Sequence, residues 1–236
     1  MTQPKPSLVH QSVRQNLRNR CTSREQHRVG MEVEHLCIRT LNGRRIGYDD
    51  GPGCVLDVFR VLHRLLGGTT VEAEGLWLEL RGDWGKVTLE PGNQIEWSSP
   101  ARLTCDELIH DLHHWLAALN TALQDNGLMS LAAGLDSTEI TDVPWLPKRR
   151  YRLMRRYYSD NAAIAHRAML NSAGVHVNFD YADARDWQRK FRTLLWPVRQ
   201  RLRSSPIRPA TIRLPTSGLA KSQTLNVRWT CNWHPC

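Results

Sequence analysis

Val87-Thr88-Leu89-Glu90-Pro91-Gly92-Asn93-Gln94-Ile95-Glu96-Trp97-Ser98-Ser99-Pro100 is the stretch from which the rest of the chain can be read. Val87 and Leu89 alternate with Thr88 and Glu90, and Ile95 and Trp97 alternate with Gln94 and Glu96. That is the two-residue period of a half-buried strand. Pro91-Gly92-Asn93 between the two runs carries turn chemistry, so the stretch predicts a hairpin. Successive strand side chains point to opposite faces. Glu90 therefore shares a face with Thr88, and Glu96 with Gln94, while the apolar residues take the other. Two carboxylates at the mouth of a sheet, beside a tight turn, are the donors a hard cation takes. The same pattern alone also describes an exposed hairpin with two surface acids.

Two other segments repeat the pattern. Arg28-Val-Gly-Met-Glu-Val-Glu-His-Leu-Cys37 puts Val29, Met31 and Val33 on one strand face and Gly30, Glu32 and Glu34 on the other. The glycine leaves room beside the paired carboxylates. Ala173-Gly-Val-His-Val-Asn-Phe-Asp180 puts Val175, Val177 and Phe179 on one face and His176, Asn178 and Asp180 on the other. A single histidine on a strand is more often structural than a ligand. Strands that each place such groups on one face are harder to dismiss together.

In chain order, Val-Gly-Met-Glu-Val-Glu, Thr-Leu-Glu-Pro-Gly-Asn-Gln-Ile-Glu, Pro-Lys-Arg-Arg-Tyr-Arg-Leu-Met and Gly-Val-His-Val-Asn-Phe-Asp resemble the glutamate–cysteine ligases of the plant-type and proteobacterial family. The likeness runs from about Ser23 to about Pro206. Leu-Glu-Pro-Gly-x-Gln-x-Glu is its most specific piece. That family reads Lys-Gly-Arg-Tyr in the third segment; here Arg150 and Tyr151 match and Arg149 replaces the glycine.

Composition sets bounds on the alternatives. The chain has 236 residues, enough for one large domain or two small ones, and 41% of them are hydrophobic. No window has the uninterrupted apolar length of a membrane helix, and Met1-Thr-Gln-Pro-Lys-Pro6 lacks the apolar run of a signal peptide. The expected location is cytoplasmic, with no membrane partner. Cysteines at 21, 37, 54, 105, 231 and 236 show no paired spacing, which predicts reduced thiols. A net charge of +9 raises the possibility of nucleic-acid binding. From Val198 onward, however, there are seven basic residues and no acid, which leaves 25 basic against 23 acidic residues before it. The body also lacks interleaved aromatic and basic residues for stacking bases, so no nucleic-acid partner is expected.

Along the chain, residues 1–22 form a polar segment with a short helix from Leu8 to Arg18. Val55 to Leu66 has helical spacing and ends at Gly67-Gly68. Leu76 to Leu80 and Val87 to Glu90 read as strands around a turn at Arg81-Gly82-Asp83. Ser99-Pro100 opens a long helix that Asn126-Gly127 closes. His110, His113 and His114 fall opposite its apolar stripe, the place of a solvated face rather than a metal cluster. Leu128 to Leu135 is a strand candidate. Lys148 to Arg156 is strongly basic, and one of its arginines could grip a substrate carboxylate through two donors. Ala182 to about Arg203 reads as a helix that Pro197 would kink or end.

The expected fold is α+β: a mostly antiparallel curved sheet with helices packed on its outer face; the resemblance implies that this sheet is glutamine-synthetase-like and, here, incomplete. Residues 23–203 form the partial catalytic domain. Residues 204–236 form a basic tail, expected to be disordered or the product of a truncation or frame change, and Cys231-Asn-Trp-His-Pro-Cys236 is too compressed for a zinc site. The resemblance implies ATP-dependent joining of the glutamate γ-carboxylate to the cysteine amine through a γ-glutamyl phosphate. It implies Mg²⁺ or Mn²⁺ held by Glu32, Glu34, Glu90, Glu96 and His176, and substrate contacts from Arg150, Tyr151 and Asn178, with Arg150 in the catalytic role. Its alternatives are a carboxylate–amine ligase with another amine acceptor, or an inactive fragment.

Overall fold

In a computed structural model, the described residues are 8–158, 162–204, 210–211 and 224–225. The expectation for residues 204–236 lies almost wholly outside them; Ala210–Thr211 and Thr224–Leu225 pair antiparallel. The remainder is a mixed fold built on one antiparallel sheet. Its strands are β1 (Val29–Arg39), β2 (Thr69–Ala73), β3 (Leu76–Gly82), β4 (Gly85–Leu89), β5 (Ile95–Ser98), β6 (Leu128–Leu131) and β7 (Val175–Phe179). Its helices are α1 (Leu8–Asn19), α2 (Val55–Leu66), α3 (Cys105–Asp125), α4 (Arg149–Tyr157), α5 (Ala162–Leu170) and α6 (Ala184–Ser204).

The strand order is β2-β3-β4-β5-β1-β6, and β7 also pairs with β1. β1 is long enough to serve three neighbours. Its Glu32–His35 stretch pairs with β5, Val29–Val33 with β7, and Leu36–Arg39 with β6. Because β5 and β7 both pair at Glu32 and Val33, they flank β1 on opposite edges.

The predicted alternation decides which face is buried. Val33, Cys37, Leu78, Leu80, Val87, Leu89, Ile95 and Trp97 form one core with Val58, Phe59 and Leu62 of α2 and Trp115, Leu119 and Leu123 of α3. Trp97 and Trp115 stack with centroids 6.0 Å apart and planes 5° from parallel. Aromatic pairs of this kind bury large apolar areas and add favourable ring geometry. The Trp97 indole N–H donates to the Trp84 carbonyl at 3.2 Å, so its polar edge is satisfied. Gly85 closes the β3–β4 hairpin at φ +119°, where a Cβ would lie 2.4 Å from the Ser98 carbonyl oxygen.

Three expectations need correction. α3 begins at Cys105 and not at Ser99-Pro100, because the backbone of that stretch is engaged by β1. Ser99 donates to the Met31 carbonyl, and Arg102 and Val29 exchange both backbone hydrogen bonds. Thr104 then starts the helix in a capping box with Glu107. The Glu90 strand ends at Leu89; Glu90 belongs to the turn, where its N–H donates to Gln94 O and its carbonyl accepts from Asn93 N–H. α6 runs on through Pro197 to Ser204, so the proline does not end the helix. The apolar face of β7 is formed as expected but left open, with Val175 49% and Phe179 48% exposed. β2 and α5 were not foreseen. The three α3 histidines are exposed, as their position opposite the apolar stripe implied.

Candidate active site

The polar face of the sheet collects the acids. Glu79, Thr88, Glu96 and Glu34 stand in register across β3, β4, β5 and β1. In the adjacent row His176, Glu32, Ser98, Lys86 and Arg81 are in register from β7 across β1, β5 and β4 to β3. Asn178 pairs with Gly30 one step further along β7 and is exposed. Glu34 and Glu96 are directly opposed, an arrangement that like charges disfavour.

Three of the carboxylates meet a specific partner. Glu34 Oε2 accepts the Gly174 backbone N–H at 2.9 Å. Glu96 Oε1 accepts the Thr88 hydroxyl at 3.1 Å. Glu32 Oε2 lies 3.2 Å from His176 Nδ1. This contact orients the imidazole and turns Nε2 into the nitrogen available to a ligand, the way an acid usually supports a ligating histidine.

The electrostatics report strain. Burial, with the nearby Glu96 and Glu34 charges, pushes the Glu90 carboxyl up to about 7 against the pull of Arg150 and Lys148. Burial also raises Glu34; the Gly174 N–H opposes this, while Glu96 and Glu32 reinforce it. His176 is held above its ordinary value of 6.5, chiefly by its hydrogen bond to Glu32. Half-buried carboxylates that repel one another are relieved by a cation, and oxygen donors with one imidazole suit Mg²⁺ or Mn²⁺. The residues present therefore fit a hard divalent ion.

Among the described residues, no group of three or more His, Cys, Asp and Glu side chains stands ready to hold a metal ion. Glu32, Glu34, Glu96 and His176 share a face of the sheet, and the charges of Glu34 and Glu96 act on Glu90 in the adjoining turn.

Arg150 is exposed on the first turn of α4, close enough to Glu90 to draw its carboxyl down. Tyr151 departs from its expected role as a substrate contact. It is buried, and its hydroxyl donates to the Leu89 carbonyl at 3.1 Å, which ties α4 to the strand end before Glu90. Gln94 departs as well: instead of sharing the face of Glu96, it donates to the carbonyls of Met169 and Ser172 at the end of α5. Two residues escaped sequence reading: Gly174, whose backbone N–H holds Glu34, and Arg45, whose guanidinium donates to the Gly92 and Leu170 carbonyls and pairs with Asp136. A backbone N–H carries no sequence signature, and Arg45 lies in a loop with no periodic pattern.

The open antiparallel sheet thus carries helices on its apolar face and carboxylates, an imidazole and an amide on its polar face. The family model for glutamate-cysteine ligase family 2 matches residues 28–198, and the chain belongs to that family. Among named relatives, chloroplastic glutamate–cysteine ligase B of Oryza sativa subsp. japonica is 26% identical over 194 residues, covering 82% of this chain and 38% of the relative. The chloroplastic enzyme of Arabidopsis thaliana is 25% identical over 174 residues, covering 73% of this chain and 32% of the relative. A solved glutamate–cysteine ligase of Francisella tularensis in complex with AMP aligns at a TM-score of 0.43 and 16% identity, over 76% of this chain and 31% of that one. The chain thus spans about a third of the length of these relatives. Among the described residues, no helix is long and apolar enough to cross a membrane.

Proposed function

We propose that the polar face binds a divalent cation and ATP and serves the ligation of the glutamate γ-carboxylate to the cysteine amine. The observation that carries this reading is the row of opposed, half-buried carboxylates Glu34 and Glu96 with Glu90 beside them, on a chain of the glutamate-cysteine ligase family.

A carboxylate is a poor acyl donor because its leaving group would be an oxide. In the proposed reaction a γ-carboxylate oxygen attacks the γ-phosphorus of ATP, the bond to the ADP oxygen breaks, and γ-glutamyl phosphate forms. The cysteine amine then attacks the acyl carbon, the carbon–oxygen bond to phosphate breaks, and the amine gives up one proton. Glu32, Glu34, Glu90, Glu96 and His176 are the residues that would hold Mg²⁺ or Mn²⁺, which when bound supplies positive charge to phosphate oxygens. Glu32 keeps the His176 ring oriented with Nε2 outward. Gly174 and Thr88 keep the Glu34 and Glu96 carboxylates from rotating. Arg150 offers two parallel donors to the substrate carboxylate or to a transferring phosphoryl group, and Asn178 offers an amide from the neighbouring strand. Tyr151 acts by holding Arg150 beside the Glu90 turn.

The test is ADP release by the full chain with ATP, Mg²⁺, glutamate and a panel of amines. Release that needs both glutamate and cysteine supports the proposal. Release with a different amine makes the chain a carboxylate–amine ligase of other selectivity, and no release with any pair refutes ligation by this chain.

A further inference from the structure

The two halves of the carboxylate face are joined by a charge that lies outside it. Glu90 and Glu96 flank the Pro91–Gln94 turn, whereas Gly174 and His176 follow the end of α5. Arg45, only 4% exposed, sits between these segments. Its Nη2 donates to the Gly92 carbonyl at 2.7 Å. Its Nη1 donates to the Leu170 carbonyl at 3.2 Å and pairs with Asp136 Oδ2 at 3.1 Å. Leu170 is the last residue of α5, four positions before the Gly174 N–H that holds Glu34. Turn and helix end are in direct contact, since a Cβ on Gly92 would lie 2.5 Å from the Leu170 oxygen. Asp136 in turn is bound into the same junction: its backbone N–H donates to the Asn171 carbonyl and its own carbonyl accepts from the Asn171 side-chain amide.

Arginine suits this place for a physical reason. Its planar fork can serve several acceptors at once, and its charge complements the negative end of α5. Stability alone is a weak explanation, because a buried ion pair loses much of its attraction to desolvation and an apolar pair often does as well. What the fork adds is a fixed spacing between two backbone segments.

We propose that Arg45 is a positioning residue for the site: it locks the turn bearing Glu90 and Glu96 onto the α5–β7 junction bearing Gly174 and His176. The inference rests on the reading of this face as a cation and nucleotide site. It differs from a general structural role in being local. Releasing the lock frees the 171–177 segment while β1 and β6 stay paired through Leu36–Arg39.

Hydrogen exchange on the full chain, without metal, reads this directly. In R45M the Gly174 amide should exchange at least about tenfold faster than in the wild type, with the Leu36–Arg39 amides unchanged. R45K keeps the charge but has one ammonium in place of the fork, and should fall between. If R45M does not fold, R45K decides on the same criterion. Unchanged exchange at Gly174, or acceleration shared equally by Leu36–Arg39, overturns the proposal. In parallel, Mn²⁺ alone is titrated into wild type, E96Q and the Arg45 variants. Where the wild type binds and E96Q does not, R45M should bind about 10- to 100-fold more weakly, and wild-type affinity in R45M overturns the proposal. Should the wild type bind no Mn²⁺, the reading of the face as a cation site falls, and the exchange result still decides whether Arg45 locks the junction.

Discussion

Glu90→Gln should make the protein more stable as it disables the site. The carboxyl of Glu90 is lifted from its ordinary 4.5 to about 7 by burial and by the Glu96 and Glu34 charges. The sign follows from linkage. Between the two values the folded chain binds more protons than the unfolded one, so stability falls as pH rises from 4.5 to about 7 and stays low above it. At 1.36 kcal/mol per tenfold change in protonation, the raised value costs the fold about 3 kcal/mol at pH 8, where Glu90 is ionised, and about 1 kcal/mol at pH 5, where folding must protonate it. Glutamine keeps the shape and removes the charge. Imperfect hydrogen bonding of the new amide reduces the gain, so E90Q should exceed the wild type by about 1–3 kcal/mol at pH 8 and by less than about 1 kcal/mol at pH 5. Urea unfolding at both pH values, in chelator and at constant ionic strength, measures it. A wild-type-to-variant gap that does not widen from pH 5 to pH 8 refutes the account of a strained carboxylate.

Three further outcomes follow from particular contacts. Thr104→Ala removes the capping box with Glu107 and should lower stability by about 1 kcal/mol without changing ligand binding, as read by urea midpoint and Mn²⁺ titration. His176 is held above 6.5 by Glu32, so the pair stabilises the fold fully below 6.5 and the contribution is lost as pH rises through the raised value. Since a cation must then displace a proton from His176, Mn²⁺ affinity should climb as pH rises through the raised His176 value in the wild type and climb less in H176A; parallel curves for the two proteins would remove His176 from the ligand set. Arg150→Lys should raise the KM for glutamate more than that for ATP, because an ammonium cannot supply two parallel donors, and a change confined to the ATP constant would assign Arg150 to the nucleotide.

Much of the site was legible because strands announce their faces. The alternation in Val29–Glu34, Val87–Glu96 and Val175–Asp180 was enough to put Glu32, Glu34, Glu96 and His176 on one side of a sheet, and the registers bear that out. What alternation cannot carry is register itself. Nothing in the sequence says that Glu34 faces Glu96 rather than Ser98, because that depends on how three separate segments align. Positions outside the strands were read less well. Gln94 looked like a neighbour of Glu96 and instead ties the turn to α5. Ser99-Pro100 has good helix-start chemistry, but pairing with β1 claims its backbone and delays α3 to Cys105. The open apolar face of β7 was also beyond local patterning, since Val175, Val177 and Phe179 record that a face is apolar and not what covers it.

The central claim is that glutamate is activated by phosphorylation on this carboxylate face, and isotope transfer tests it most directly. Glutamate carrying ¹⁸O in its γ-carboxylate is incubated with the full chain, ATP, Mg²⁺ and cysteine, and the released phosphate is analysed by mass spectrometry. Attack of a γ-carboxylate oxygen on phosphorus, followed by loss of phosphate to the amine, moves one labelled oxygen into each phosphate. The account predicts singly labelled phosphate in step with dipeptide, and its loss in the Glu96→Gln variant. Unlabelled phosphate, or label transfer undiminished in that variant, would contradict it.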